Sequence, residues 1–421
     1  MKKKLILVFV VLTLVYNGYF VKNQWKKAQT PDVTIIGRVK MADGIGRQSI
    51  EVIKALKDTY EIGFIETYQK DFTDISSEIK KILVQKKPPA PVILFEELLT
   101  HPDASYPYYQ KIFPYCNEKH IRIAYSMIEG TKIPGSWVQI LNVYFDAVAV
   151  PDAFYVDVYR NSGVSCPIFE VPLVLDIADF LQMPLKEKKG DPFVFANFSS
   201  CIDRKNHLKL VRAFAKAFGN RSDVMLKIAY RTGDLSIIKD IFREIEALGL
   251  MNVDFQNIEH VKDRYLANFA NIDAYISISK SEGFSIQPRE AMCLGIPVIA
   301  TDNTAQSTLC NTKLVRVVPS LKKEKAYFSQ AESIGYIFDC EQDDVVLAMK
   351  DVYENYDYYL SKKEASRKWA EQYSVQSLKM TYQNLVKPKK VVLGDQNKVT
   401  DEFLMTDSKL LYKKYKKLLS L

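Results

Sequence analysis

Apolar positions recur along this chain with two periods that take turns. Asp32–Gly37, Tyr60–Ile65, Val92–Phe95, Ile121–Ser126 and Phe145–Val150 are short, largely apolar runs and read as strands. Between them, Gln48–Lys57 carries Ile50, Ile53 and Leu56 at helical spacing, Ile75–Val84 is a second helix, and a third ends at Arg160. A new series opens with the strand Phe193–Asn197. It continues through the helix His207–Phe218, with Leu208, Val211, Ala215 and Phe218 on one side, and then Val224–Ala229, Ser236–Leu248, Met251–Ile258 and Asp273–Ser279. Ser285–Leu294, Ile296–Ala300, Leu314–Val318 and three helices, Asp343–Tyr353, Ser361–Tyr373 and Ser377–Leu385, complete it. Short apolar strands alternating with helices predict parallel sheets covered on both faces. The break falls at Leu173–Pro192, which holds Pro184 and the run Lys186-Glu-Lys-Lys-Gly-Asp-Pro192. Two Rossmann-like α/β domains are expected, at 31–175 and 193–375, joined by a linker at 176–192.

Two strand ends in the second series carry more than packing requires. After Ser279 the chain runs Ser281-Glu282-Gly283-Phe284-Ser285 into a helix with Pro288 in its first turn and Gly295 placed to end it. Open α/β sheets bind ligands where strands end and helices begin, and free amides at a helix start attract phosphate. Glu282 in the loop and Glu290 in the helix can accept hydrogen bonds from paired hydroxyls of a sugar or ribose. After Asn197 the loop Ser199-Ser-Cys-Ile-Asp-Arg204-Lys205-Asn206 brings two adjacent cations to the matching strand end, or else makes a solvated start to the next helix. The loop Arg38–Arg47 in the first series contains Gly44-Ile45-Gly46-Arg47 and lacks the third glycine of a dinucleotide fingerprint, which disfavours a nicotinamide oxidoreductase.

The order S-E-G-F-S-x-x-P-x-E-A-M-x-x-G-x-P-V-I-A-T-D from Ser281 to Asp302 resembles the donor-site signature of retaining glycosyltransferases with the GT-B fold, the "group 1" family. The likeness covers about Asp32 to Leu385 and is closest over Phe193–Asn303. It implies two Rossmann-like domains facing across a cleft. In that family the first glutamate contacts the donor sugar and the second the nucleotide ribose, which makes Glu282 a catalytic candidate and Glu290 a donor ligand. Gly283, Phe284 and Ser285 would turn their amides to sugar and diphosphate, and Gly46 and Arg47 would close over the diphosphate. Arg204 and Lys205 match the cations that hold it, while Ser199 stands where relatives have an arginine. Glu129 is the ionisable candidate for the acceptor-side acid or base, a position where relatives often have histidine. The tract Glu129–Trp137 resembles a stretch of one branch of the family, or is a structural loop. Asp152 replaces the serine of a family V-P-S-x-F motif. The resemblance further implies a terminal helix, 376–390, crossing back to the first domain. No metal or other cofactor is expected, because no Asp-x-Asp occurs; a nucleotide-diphosphate sugar is the co-substrate.

Composition changes this picture only at the ends. At 421 residues with a net charge of +8, the surface is mixed with a basic bias, which suits acidic substrates or an anionic membrane and gives little reason to expect nucleic acid. The six cysteines form no C-x-x-C and read as small buried thiols. Met1-Lys-Lys-Lys precedes the apolar run Leu5–Val21, at the lower edge of bilayer-spanning length and without a good cleavage site. Residues 1–30 are therefore expected to be an uncleaved single-pass anchor, with Lys22, Lys26 and Lys27 leaving its orientation open. The tail 391–421 ends in Ser408–Ser420, where Leu411, Tyr415 and Leu418 line one side among lysines. This segment either lies on an anionic membrane or docks on the protein. The expected function is transfer of a hexose-type sugar to a glycan, a lipid-linked or a protein acceptor. The alternative is a catalytically inactive GT-B-like binding or scaffold protein.

Overall fold

The computed structural model describes residues 30–41, 44–96, 115, 119–258, 262–328 and 332–387. The expected anchor and the basic tail lie outside the described residues. Among those residues no helix is long and apolar enough to cross a membrane.

The first half is a parallel sheet. β1 (Val33–Val39) leads through helix α1 (Gly44–Leu56) to β2 (Ile62–Lys70), and α2 (Ser77–Val84) leads on to β3 (Val92–Phe95). β4 (Ile121–Tyr125), α3 (Gly135–Tyr144), β5 (Ala147–Val150), α4 (Ala153–Asn161) and β6 (Ile168–Glu170) follow. The strand order is β2-β1-β3-β4-β5-β6, so the direction of winding reverses between β1 and β3. β3, β4 and β5 are buried at every residue, and the one charged residue among them, Arg122 of β4, pairs with Asp146 at 2.9 Å. Gly44–Arg47, expected in a loop, form the first turn of α1 instead. Gly46 fits there because its backbone lies against that of Lys40: a Cβ would meet the Lys40 carbonyl oxygen at 2.5 Å. Asp152, the family's serine position, caps α4 by accepting from the Phe154 amide at 3.0 Å.

The linker is more ordered than its prolines suggest, and carries the short helix α5 (Ala178–Gln182). The second half repeats the plan with β7 (Phe193–Asn197), α6 (His207–Phe218), β8 (Val224–Tyr230), α7 (Leu235–Ala247), β9 (Val253–Asn257), α8 (Lys262–Ala270), β10 (Ala274–Ser277), α9 (Ile286–Cys293), β11 (Val298–Thr301), α10 (Ser307–Cys310) and β12 (Arg316–Val318). Its parallel strands run β12-β11-β10-β7-β8-β9, with the reversal between β7 and β10. An antiparallel hairpin of β13 (Lys322–Tyr327) and β14 (Ser333–Asp339) then leaves the sheet. Helices α11 (Gln342–Glu354), α12 (Tyr356–Leu360) and α13 (Lys363–Glu371) lead to α14 (Val375–Leu385), which packs on α1.

Three segments tie the halves together, beside single side-chain contacts such as Thr308 Oγ1 to Asp152 Oδ2 at 2.6 Å. The chain crosses once through the linker. It crosses back through α14, where Gln383 Nε2 donates to Thr59 Oγ1 at 2.8 Å and Tyr382 OH to the Pro172 carbonyl at 3.0 Å. The third tie is the hairpin. The Lys132 amide donates to the Ile334 carbonyl at 3.0 Å and the Tyr336 amide to Thr131 Oγ1 at 3.0 Å, while Phe328 meets Trp137 edge to face at 4.9 Å. Gly130 permits this approach, since a Cβ there would meet the Ile334 carbonyl oxygen at 2.4 Å. Ala326 and Ile334 are thereby buried in the apolar cluster of the first half, beside Ile133 and Trp137.

Candidate active site

Both switch points open on one cleft. A cavity of about 440 Å³ lies between the halves, walled on one side by Arg38, Glu96, Tyr125, Met127 and Glu129 and on the other by Ser199, Arg204, Lys205 and the loop Glu282–Gln287. The loop Phe198–Asn206 leaves β7 and the loop Ile278–Ser285 leaves β10, the two strands flanking the reversal in the second sheet. Asp203–Lys205 form a single 3₁₀ turn that ends at Asn206 with φ +64°, and Ser285 precedes α9 with φ +63°. A serine in the left-handed region is strained by about 1–3 kcal/mol and must be held there by its surroundings. Arg289, fully buried, supplies part of the hold. It donates to the Phe284 and Ser285 carbonyls, the latter at 3.1 Å, and its guanidinium lies 3.8 Å from the centre of the Phe284 ring. Gly295 ends α9 as expected, at φ +67° with its amide on the Met292 carbonyl at 3.0 Å.

Glu282, Lys205, Arg204 and Glu129 form a charge chain across the cleft. Lys205 Nζ pairs with Glu282 Oε1, Arg204 Nη1 lies 3.3 Å from Glu282 Oε2, and Arg204 Nη2 reaches Glu129 of the first half at 2.8 Å. Burial pushes the Glu282 carboxyl up, but Lys205 and Arg204 outweigh it and hold the group at about 2. The Glu282 backbone is fixed as well: its amide donates to Thr304 Oγ1 at 2.9 Å, and its carbonyl accepts from Tyr155 OH at 2.7 Å across the cleft. Ser199 faces the cavity, with its hydroxyl donating to Asn197 Oδ1 at 2.6 Å. Behind it His207 is buried, and desolvation with nearby Lys205 drives its imidazole down to about 3, so it is neutral. At Ser199, aligned with an arginine of the resembled family, the wall is thus uncharged.

Glu290 and Arg47 sit elsewhere than the spacing suggested. Glu290 is completely buried outside the cavity wall, and both its oxygens are engaged. Oε1 accepts from Arg47 Nη2 of α1 at 2.8 Å, and Oε2 accepts from Tyr265 OH on α8. Arg47 therefore crosses the interface to a carboxylate, and neither it nor Gly46, which lies against Lys40, lines the cavity. Tyr265 and Arg289 went unrecognised in the sequence. Tyr265 and Phe269 stand four apart on α8, and that spacing is the signal that could have revealed Tyr265; no comparable spacing marks Arg289. Five cysteines, Cys166, Cys201, Cys293, Cys310 and Cys340, are free and buried, and none borders the cavity. Among the described residues no His/Cys/Asp/Glu cluster is arranged to hold a metal ion.

Residues 181–369 match the model of the family described as glycosyl transferases group 1. Among solved structures, the chain is similar to HepE of Anabaena in complex with UDP and glucose, with a TM-score of 0.57 and 14% identity over 85% of this chain and 99% of that one. It is similar to sucrose-phosphate synthase from Thermosynechococcus elongatus, with a TM-score of 0.62 and 14% identity over 85% and 99%. The pneumococcal O-GlcNAc transferase GtfA in complex with UDP and GlcNAc matches with a TM-score of 0.52 and 14% identity over 72% of this chain and 57% of that one. At such identities the likeness is one of fold, and the fold is GT-B. No curated protein matches the sequence.

Proposed function

We propose, from the match of residues 181–369 to the model of the group 1 glycosyl transferases, that this protein transfers a hexose-type sugar from a nucleotide-diphosphate donor to an acceptor hydroxyl, with retention at the anomeric carbon. The observation that carries the reading is the pair Arg204 and Lys205, set at the β7/β10 switch point and turned into the interdomain cavity. The diphosphate leaving group gains negative charge as the glycosidic bond breaks, and fixed cations stabilise that change. The amides at the start of α9 add to the same field. In the ligand-free protein the two cations are satisfied by Glu282 and Glu129. Donor phosphate oxygens would take over these partners, releasing Glu282 toward the sugar and Glu129 toward the acceptor. The leaving phosphate itself would collect the proton of the incoming hydroxyl, so no metal enters the scheme.

HepE and GtfA were solved with UDP and a sugar, which supports a uridine donor for this chain too. Glu290 would meet the ribose only by exchanging its bond to Tyr265 or Arg47, and Ser199 would offer the diphosphate a hydroxyl in place of a charge. A lipid-linked or surface glycan is the acceptor class that suits residues 1–30 acting as a membrane anchor and 391–421 lying on an anionic surface. The test is release of UDP from UDP-glucose and UDP-GlcNAc by purified protein. Turnover is expected from the unmodified chain and should fall about 100-fold or more in the Arg204→Ala/Lys205→Ala double variant. Normal turnover in that variant would remove the site from consideration.

A further inference from the structure

We propose that Glu96 anchors an acceptor subsite, its carboxyl taking a hydroxyl of a neutral sugar or polyol that lies opposite the donor loops. This rests on the glycosyltransferase reading and extends it to the other wall of the cleft.

Four observations carry it. Glu96 follows β3 directly, with its amide on the Ile36 carbonyl of β1 at 2.8 Å, and so stands at the point where the first sheet reverses its winding. Switch points are where open α/β sheets place their ligands. The second sheet's switch point carries the proposed donor site, and Glu96 lines the same cavity as Glu282 and Lys205. The side chain is also incomplete as it stands. Glu96 is only 3% exposed, yet apart from the Gln48 side chain beside it neither carboxyl oxygen has a hydrogen-bond partner. Leaving such a group bare is expensive, and a purely structural carboxylate is not left so. Asp146, buried in the same half, shows the contrast: it accepts from Arg122 Nε at 2.9 Å, Nη2 at 3.1 Å and the Arg122 amide at 2.9 Å.

The surroundings indicate what would complete Glu96. Gln48 and Ser49 on α1 lie beside it, and Ser49 Oγ lacks a partner too. Gly37 brings the group together, since a Cβ there would meet Ser49 Oγ at 2.4 Å and Glu96 Cβ at 3.2 Å. Burial raises the Glu96 carboxyl to about 8, with Gln48 offsetting only part of the rise. At neutral pH the group is therefore an uncharged acid that both donates and accepts. Two nearby phenols, Tyr125 and Tyr382, are bonded to the carbonyls of Val171 at 2.6 Å and Pro172 at 3.0 Å and stay neutral as well. A hydroxyl, which also donates and accepts, matches such a lining, whereas an ammonium group would want a carboxylate.

The experiment measures binding. UDP binding to the full-length protein is recorded first, by calorimetry. With UDP saturating, methyl α-glucoside, methyl α-N-acetylglucosaminide, glycerol and glucosamine are titrated by saturation-transfer NMR. At least one neutral compound is expected to bind, about tenfold more weakly to Glu96→Ala and within about threefold of normal to Glu96→Gln. Isotope-edited infrared spectra of the unmodified protein provide a check independent of any variant: the protonated Glu96 carbonyl band should shift when the neutral compound binds. Binding that ignores Glu96→Ala, an unmoved band, no binding by any neutral compound, or a Glu96-dependent preference for glucosamine overturns the subsite alone. Absence of UDP binding overturns the transferase reading, and the subsite with it.

Discussion

The two walls of the cleft are built on the same sheet plan and treat their buried carboxyls in opposite ways. On the second-half wall every acidic candidate already has a cation: Glu282 holds Lys205 and Arg204, and Glu290, buried behind the wall, holds Arg47. On the first-half wall the half-exposed Glu129 reaches across to Arg204, but the buried Glu96 has no cation, and the hydroxyl of Ser49 beside it is unmatched. The difference follows from what each wall must recognise. A diphosphate needs fixed cations, and fixed cations need counter-charges when no ligand is present, so that wall is self-neutralised. A neutral polyol needs only donors and acceptors, which can stay empty at a smaller cost if they stay uncharged.

The comparison can be broken most severely at Lys205. Lys205→Met leaves the Glu282 carboxylate buried with a weaker partner set and should destabilise the fold by about 3 kcal/mol, read from urea unfolding. Adding Glu282→Gln should return most of that stability without restoring turnover. If the double variant is no more stable than the single one, the pair is not a self-neutralising unit. Next in size is Tyr265→Phe, which strips one oxygen of Glu290 and should cost about 1–2 kcal/mol by the same measurement.

A pH series sharpens the contrast. A carboxyl whose folded value is raised to about 8, as in Glu96, binds its proton more tightly folded than unfolded. Its contribution is whole below about 4.5 and is lost as pH climbs toward 8, at up to about 1.4 kcal/mol per pH unit. Glu51, raised by burial to about 7, adds a slope of the same sign. Glu282, held at about 2, acts in the opposite direction: its stabilisation is present above about 4.5 and drains away only as pH falls toward 2. Melting temperature against pH should therefore decline from pH 5 to 8, and Glu96→Gln should flatten the decline; an equally steep decline in the variant would refute the assignment of that proton. The smallest effect belongs to the hairpin. Ser136→Ala removes its 3.0 Å bond to Glu332 and should cost about 1 kcal/mol or less.

Much of this was legible beforehand because strands such as β3, β5, β10 and β11 are short and largely apolar and the loops after β7 and β10 carry an ordered signature. The helix Lys262–Ala270 was not, since Lys, Asp, Arg and Asn interleave with Tyr265, Leu266 and Phe269 and the apolar face is narrow. The strand Lys322-Lys-Glu-Lys-Ala-Tyr327 hid for another reason: it is mostly exposed, so charge replaces the usual alternation, and only Ala326 is buried. Gly44–Arg47 looked like a loop because two glycines oppose a helix, yet close contact with Lys40 requires one of them. At the site, Arg204, Lys205 and Glu282 converge as their positions after strands implied. Arg47 and Glu290 find one another across an interface that no local spacing encodes.

The hairpin differs in kind from the other two ties. Linker and α14 are continuous chain, whereas β13 and β14 grip residues 131–137 through a few hydrogen bonds, one aromatic edge and two modest apolar side chains. Phe328 and Trp137 both wall the cavity, so on this side the cleft is bordered by a pair of rings and not by charges.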